Sequence, residues 1–276
     1  MVRFWNNVKT ALLLGGLMGV CLAVGSIWGQ QGLLFGLIFG GVANLVAFFF
    51  SDKIAIASMR GQEVDERTGG ELYGIVRELS QTAGLPMPRV YVCPQEAPNA
   101  FATGPWPSRA AVAVTQGALR LLDHEELRGV MAHELAHVKN RDTMTSTVAA
   151  TISGLLAYLA QMSLWFGGRN SRDTNPLIMI LGTIAAAVGA ALIQAAISRS
   201  REFVADADGA RIAGTPVGLA SALTKLEAYA QRIPLDNPNP AQNSMFIVEP
   251  FIGSGAMRLF ASHPSTEERI QALLKG

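Results

Sequence analysis

The longest uncharged stretch of the chain runs from Thr10 to Ser51 and is almost wholly apolar. As a single helix it would extend about 60 Å, roughly twice the hydrocarbon thickness of a bilayer, so two crossings fit better than one. The break is expected between Gly25 and Gly32, where Ser26, Gly29, Gln30 and Gln31 surround the interfacial aromatic Trp28. The pattern therefore predicts helices over 11–27 and 32–50. A cleaved signal peptide behind Arg3 and Lys9 is the competing reading. It is disfavoured because a second apolar segment follows at once and no A-x-A-like site precedes it. A second uncharged pair covers 147–166 and 177–197, divided by the polar turn GGRNSRDTNP. Its richness in Ala, Gly, Ser and Thr suits either a second membrane hairpin or buried helices packed closely together.

Between and after these pairs the periodicity changes. Residues 71–83 place Leu72, Ile75, Val76 and Leu79 on one helical face, and Gly84 with Pro86 supplies a stop. RVYVCP (89–94) and AAVAVTQGAL (110–119) read as strands joined by a Pro-, Gly- and Asn-rich connection. Residues 123–139 form a helix with Asp123 as N-cap and Glu126 three positions on, followed by Leu127, Val130, Met131, Leu135 and Val138 at helical spacing. A further amphipathic helix runs from Pro216 to Arg232 behind Thr215, and the weakly periodic stretch 233–256 is read as a cover over a cleft. The expected fold class is α+β, mainly helical with a small sheet, plus four hydrophobic helices in two hairpins. Its parts are an N-terminal hairpin (1–50), polar regions at 51–146 and 198–276, and the second hairpin (147–197) between them.

Composition agrees with a lipid partner: half of the residues are hydrophobic and only 16% are charged. The net charge of +1 creates no field suited to nucleic acid. Cys21 and Cys93 lie in apolar settings and suggest neither a disulfide framework nor a thiolate metal site. The basic residues divide unevenly across the expected spans, with Arg3, Lys9, Lys53, Arg60, Lys139, Arg141, Arg199 and Arg201 on one side and Arg169 and Arg172 on the other. The first side, which carries both polar regions, is therefore expected to be cytoplasmic.

Candidate chemistry sits in the 123–139 helix. His133 and His137 are four residues apart, so their imidazoles leave the same face one turn apart and can share a zinc ion. Glu134 between them has the type and position of a base for a metal-activated water. A catalytic zinc needs a third protein ligand, and Glu202 in SRSREFVADADGARIAG is the best candidate. Asp206, four residues on, would then be free to hold a ligand imidazole. The alternative is an exposed acidic helix whose carboxylates pair with Arg199 and Arg201.

Four ordered motifs, NAFATG (99–104), HELAHVKNRD (133–142), SRSREFVADADGA (198–210) and SHPSTEERI (262–270), resemble the HtpX-type heat-shock membrane metallopeptidases, which are related to the CAAX prenyl proteases. The resemblance implies a gluzincin-type metallopeptidase domain holding one Zn2+ through His133, His137 and Glu202, with Glu134 as base and Asp206 in support. It also implies that Asn99 belongs to an edge strand that binds extended substrate, although Pro98 and Gly104 would equally frame a turn. His263, before Pro264 and a helix capped by Ser265 with Glu268, resembles a histidine that stabilises the tetrahedral oxyanion, and its plain alternative is a loop residue of packing value. The implied activity is cleavage of membrane or misfolded proteins in a bacterial-type inner membrane. Two other readings stand beside it: a prenyl-peptide processing protease, and a noncatalytic zinc-binding membrane scaffold.

Overall fold

Glycines bring the first two helices together. The computed structural model describes residues 2–26, 29–149, 151–152, 199–230 and 264–275. In it α1 (Val2–Ser26) and α2 (Gly29–Ser58) form a hairpin whose turn falls within the expected 25–32 region. A side chain at Gly25 would meet the Gly32 carbonyl at 2.3 Å, and one at Gly36 would meet that of Cys21 at 2.4 Å, so only glycine permits this approach. Both helices are long and apolar enough to cross a bilayer, and much of the α2 surface is exposed and apolar, from Leu33 to Phe50.

The expected end of the second helix at residue 50 is too early. α2 continues past Asp52 to Ser58 because Ala55 and Ile56, with Met59 just beyond, pack against Tyr91, Cys93 and Phe101 in a separate apolar cluster. Nothing in the composition of 51–58 breaks a helix, and the far end of α2 has a second surface to cover.

That surface is one face of a four-stranded mixed sheet, ordered β1 (Gln62–Val64), β2 (Arg89–Cys93), β4 (Ala111–Thr115), β3 (Ala100–Thr103). β2 and β4 are parallel and the outer pairs are antiparallel. Alternate residues of these strands point to opposite faces. Val90, Val112 and Val114 enter the main core with Leu79 of α3 (Glu66–Ala83), while Tyr91, Ala111 and Ala113 turn toward α2. Burial on both faces explains why AVAVT lacks polar alternation. The expected strand 110–119 ends earlier than read: Thr115 accepts a hydrogen bond from the Ala118 amide and caps a short helix, α4 (Gln116–Leu121).

α5 (His124–Asn140) is the centre of the fold and starts as its sequence predicts, with a capping box between Asp123 and Glu126. It packs between the sheet and two later helices, α6 (Arg199–Ala213) and α7 (Val217–Ala230), with α8 (Thr266–Lys275) closing over both. Contact is again backbone to backbone: a side chain at Gly209 of α6 would lie 2.9 Å from His133 Cα, and one at Gly129 of α5 would lie 2.4 Å from the Leu219 amide. Buried Glu126 ties α7 to the start of α5, accepting from Ser221 Oγ and Lys225 Nζ, each at 2.6 Å. The second hydrophobic pair beyond residue 152, the stretch 233–256 and His263 lie outside the described residues.

Candidate active site

Helical spacing and the α5–α6 crossing bring three sequence-predicted side chains to one point. His133 Nε2 and His137 Nε2 are 3.2 Å apart, and the two Glu202 oxygens lie 3.8 Å and 3.7 Å from them. Potential donor atoms of the three residues all fall within 4.8 Å of one another. Two imidazoles and a carboxylate are a donor set that suits a zinc-type cation. Glu202 and Asp206 are buried, at 5% and 1% exposure, which excludes the exposed acidic helix considered for this segment.

The ring nitrogens turned away from the centre also meet carboxylates. His133 Nδ1 approaches Asp206 Oδ1 to 2.9 Å, off the line that an ideal hydrogen bond takes, and His137 Nδ1 lies 3.3 Å from Asp142 Oδ2. Such carboxylates select the tautomer that leaves Nε2 available to a metal. Asp142 reaches its position because Arg141 takes the left-handed conformation (φ 59°) and ends α5, turning the chain back toward the last helical turn.

A third group, unanticipated in the sequence, is Arg269 of α8. Its guanidinium is buried and grips Asp206 with both arms, Nε to Oδ2 at 2.9 Å and Nη2 to Oδ1 at 2.7 Å. The same Nη2 lies 3.4 Å from His133 Nε2 and 3.9 Å from Glu202 Oε2. Burial alone would raise the Asp206 pKa, but the two hydrogen bonds from Arg269, with the His133 ring close by, outweigh it and bring it down to about 2. The signal was present in TEERIQALLK: Arg269 lies four residues before Leu273 and three after Thr266, on the face that the helix buries.

Glu134 is buried beside both histidines, and desolvation lifts its pKa above the usual carboxylate range despite the histidine charges and a hydrogen bond from the Ala102 amide. Ala102 belongs to β3, which among the described residues has β4 as its one neighbour in the sheet. Asn99 immediately precedes β3 and is buried; its backbone exchanges hydrogen bonds with Thr115, by its carbonyl to the amide and its amide to Oγ1. The backbone at Asn99 thus extends the strand pairing. Pro264 follows His263, and the predicted cap of α8 is present, with Ser265 and Glu268 bonding each other's amides.

The His137 pKa sets an expectation for metal loading. Burial disfavours its charged form, but Asp142, Glu202 and Glu134 outweigh that and raise its pKa from 6.5 to about 9. In the metal-free fold this proton contributes stability below pH 6.5, and the contribution disappears as pH rises through about 9. A metal must displace the same proton. Affinity should therefore climb about tenfold per pH unit between pH 7 and 9, with close to one proton released. Chelator competition, with calorimetry in buffers of different ionisation enthalpy, checks this; a flat profile contradicts it.

Comparison with known proteins adds lineage to the geometry. The family model described as Peptidase family M48 matches residues 66–276. A protease HtpX homolog from Desulfatibacillum aliphaticivorans is 50% identical over 276 residues, covering 97% of this chain and 89% of its own. Another from Nostoc sp. is 50% identical over 280 residues, covering 98% and 96%. Among solved structures, the crystal structure of S. mikatae Ste24p shares the fold with a TM-score of 0.52 at 19% identity, covering 99% of this chain and 66% of that one.

Proposed function

The chain belongs to peptidase family M48 and is a membrane metallopeptidase, and from that premise we propose that it is a zinc-dependent endopeptidase acting on membrane or misfolded proteins in quality control. The carrying observation is the convergence of His133, His137 and Glu202 beside buried Glu134. In this reading the first three hold one zinc ion, and Asp206 orients the His133 ring from behind. When bound, the ion supplies the Lewis acidity that makes water nucleophilic at neutral pH. Glu134 takes the proton of the attacking water and returns it to the departing amine as the carbon–nitrogen bond breaks; its raised pKa favours the first transfer.

Substrate lies along β3 as an added strand, with Asn99 at one end and the Ala102 amide beside Glu134. His263, just before α8, stabilises the oxyanion. The catalytic side faces the cytoplasm of a bacterial-type inner membrane, a placement supported by the excess of Lys and Arg on that side of the hydrophobic segments.

Glu202→Ala is expected to remove most bound metal together with activity, since two imidazoles alone hold zinc weakly. Metal analysis of the purified full chain, paired with cleavage of an unfolded membrane protein, tests this. A variant that kept stoichiometric metal would place the third ligand elsewhere. Running a prenylated peptide beside the unfolded protein separates this reading from prenyl-peptide processing.

A further inference from the structure

Where α2 leaves its lipid-facing stretch, the turn joining β3 to β4 meets it. Phe49 and Phe50 are still 43% and 48% exposed, but Asp52 is buried at 1% between Arg89, at 3.2 Å, and Arg109, at 3.6 Å. Three ionised groups in one cluster are costly within the hydrocarbon, which argues that the apolar span of α2 ends before this point. Arg109 belongs to the turn GPWPSR (104–109). It also donates to the Phe49 carbonyl at 3.3 Å and lies 5.6 Å over the ring of exposed Trp106.

A second set of contacts fixes the height of the same turn independently. The Gly104 carbonyl accepts from Thr143 Oγ1 at 2.9 Å, and the hydroxyls of Thr103 and Thr147 are 3.0 Å apart. Thr143 and Thr147 lie in the helical residues 143–149, whose Val148 and Ala149 pack with Leu13 and Leu17 of α1 and Ala47 of α2. The turn is thus clamped from both sides at the level where the apolar hairpin ends.

Indole and guanidinium are the side chains that occupy a bilayer's headgroup zone, one end apolar and the other polar. Pro105, which is buried, and the partly buried Pro107 fix the backbone on either side of Trp106 and stiffen the tip. We propose that residues 104–109 form a foot on the membrane surface, with Trp106 inserted among the headgroups of the bilayer that α1 and α2 cross and Arg109 beside the lipid phosphates. Arg109 joins the turn to Phe49 in the exposed apolar stretch of α2, which argues for lipid as its occupant.

The foot narrows the substrates already proposed toward membrane-anchored chains and rests on that reading. The chain spans at most about 14 Å from Ala102, whose amide meets Glu134, to Trp106. A polypeptide bound along β3 is therefore cut close to the bilayer, which favours membrane-anchored substrates over soluble ones.

The foot is tested without catalysis. In the full-length protein in nanodiscs, Trp5, Trp28 and Trp165 are replaced by phenylalanine, so that Trp106 alone fluoresces. Lipids brominated just below the headgroup should quench it about twofold or more, with blue-shifted emission, and aqueous iodide should have little effect. Water-like emission quenched by iodide and untouched by brominated lipid overturns the proposal, as does shielding from both, which would indicate a protein partner. If the triple replacement does not fold, a polarity-sensitive dye on Ser108→Cys, with Cys21 and Cys93 replaced by alanine, reports the same boundary, and a dye reporting bulk water overturns it equally. Trp106→Ser should slow cleavage of a membrane-tethered substrate several-fold while sparing a soluble unfolded chain; an equal change on both, including none, removes the substrate inference. Lipid quenching with no cleavage of either substrate would instead refute the peptidase reading and leave the foot standing.

Discussion

Replacing Glu134 by glutamine is expected to lower peptide-bond hydrolysis about a thousandfold, within the range associated with loss of a positioned general base. The side chain keeps its shape, and its carbonyl oxygen can still accept the hydrogen bond from the Ala102 amide. It loses the capacity to take a proton from water. Because Glu134 is buried and its charged form is penalised by desolvation, a neutral amide should not destabilise the fold. Metal content should stay at the wild-type level, since the three converging donors are untouched. Metal analysis and single-turnover cleavage of one purified sample separate the two effects. Undiminished cleavage would remove Glu134 from the mechanism.

The second large effect is structural. Arg269→Leu removes the cation that grips Asp206 and neighbours Glu202, leaving two buried carboxylates without its charge. Breaking a buried pair from one side costs about 3–5 kcal/mol, far more than a surface pair would. The sign with pH follows from Asp206, whose folded pKa lies at about 2 against an ordinary 3.8. Its contribution to stability is present above pH 3.8 and is lost as pH falls toward 2. Without Arg269 the folded pKa rises, so acid unfolding should begin at higher pH. If the proposed zinc is held by Glu202 it would neutralise that side of the cluster and partly offset the loss, so the deficit should be larger in chelator. Arg269→Lys restores charge but not the two-armed grip and should recover only part of the stability. Denaturant titrations of the three proteins, with and without zinc, measure this; an unchanged midpoint would mean that Arg269 contributes no net stability.

What the sequence disclosed and what it withheld divide by range. The α5 helix, its cap and the common face of His133 and His137 follow from spacings of a few residues. The α1–α2 turn and the cap of α8 were legible for the same reason. Glu202 and Asp206 could be placed on one helical face, but their burial depends on the packing of α6 against α5 through Gly209, which no local pattern specifies. Asp142 was hidden because its role depends on the left-handed Arg141 that reverses the chain. Arg269 shares a helical face with Thr266 and Leu273 in TEERIQALLK, but its partner Asp206 becomes visible only once the helices are packed. The early helix after β4 is not evident in the sequence, because AVAVT and QGAL join without a breaker and only the Thr115 cap divides them. The continuation of α2 through Asp52 is not legible locally, because its pairing with Arg89 joins residues far apart in the chain.

The central claim, one zinc held by two imidazoles and a carboxylate, is tested most directly by zinc-edge X-ray absorption on the purified full-length Glu134→Gln protein. Two imidazole scatterers with oxygen ligands and no sulfur, at one zinc per chain, are predicted, and Glu202→Ala should lose the zinc. Sulfur scattering from Cys21 or Cys93, or a chain that retains no zinc at all, would contradict it.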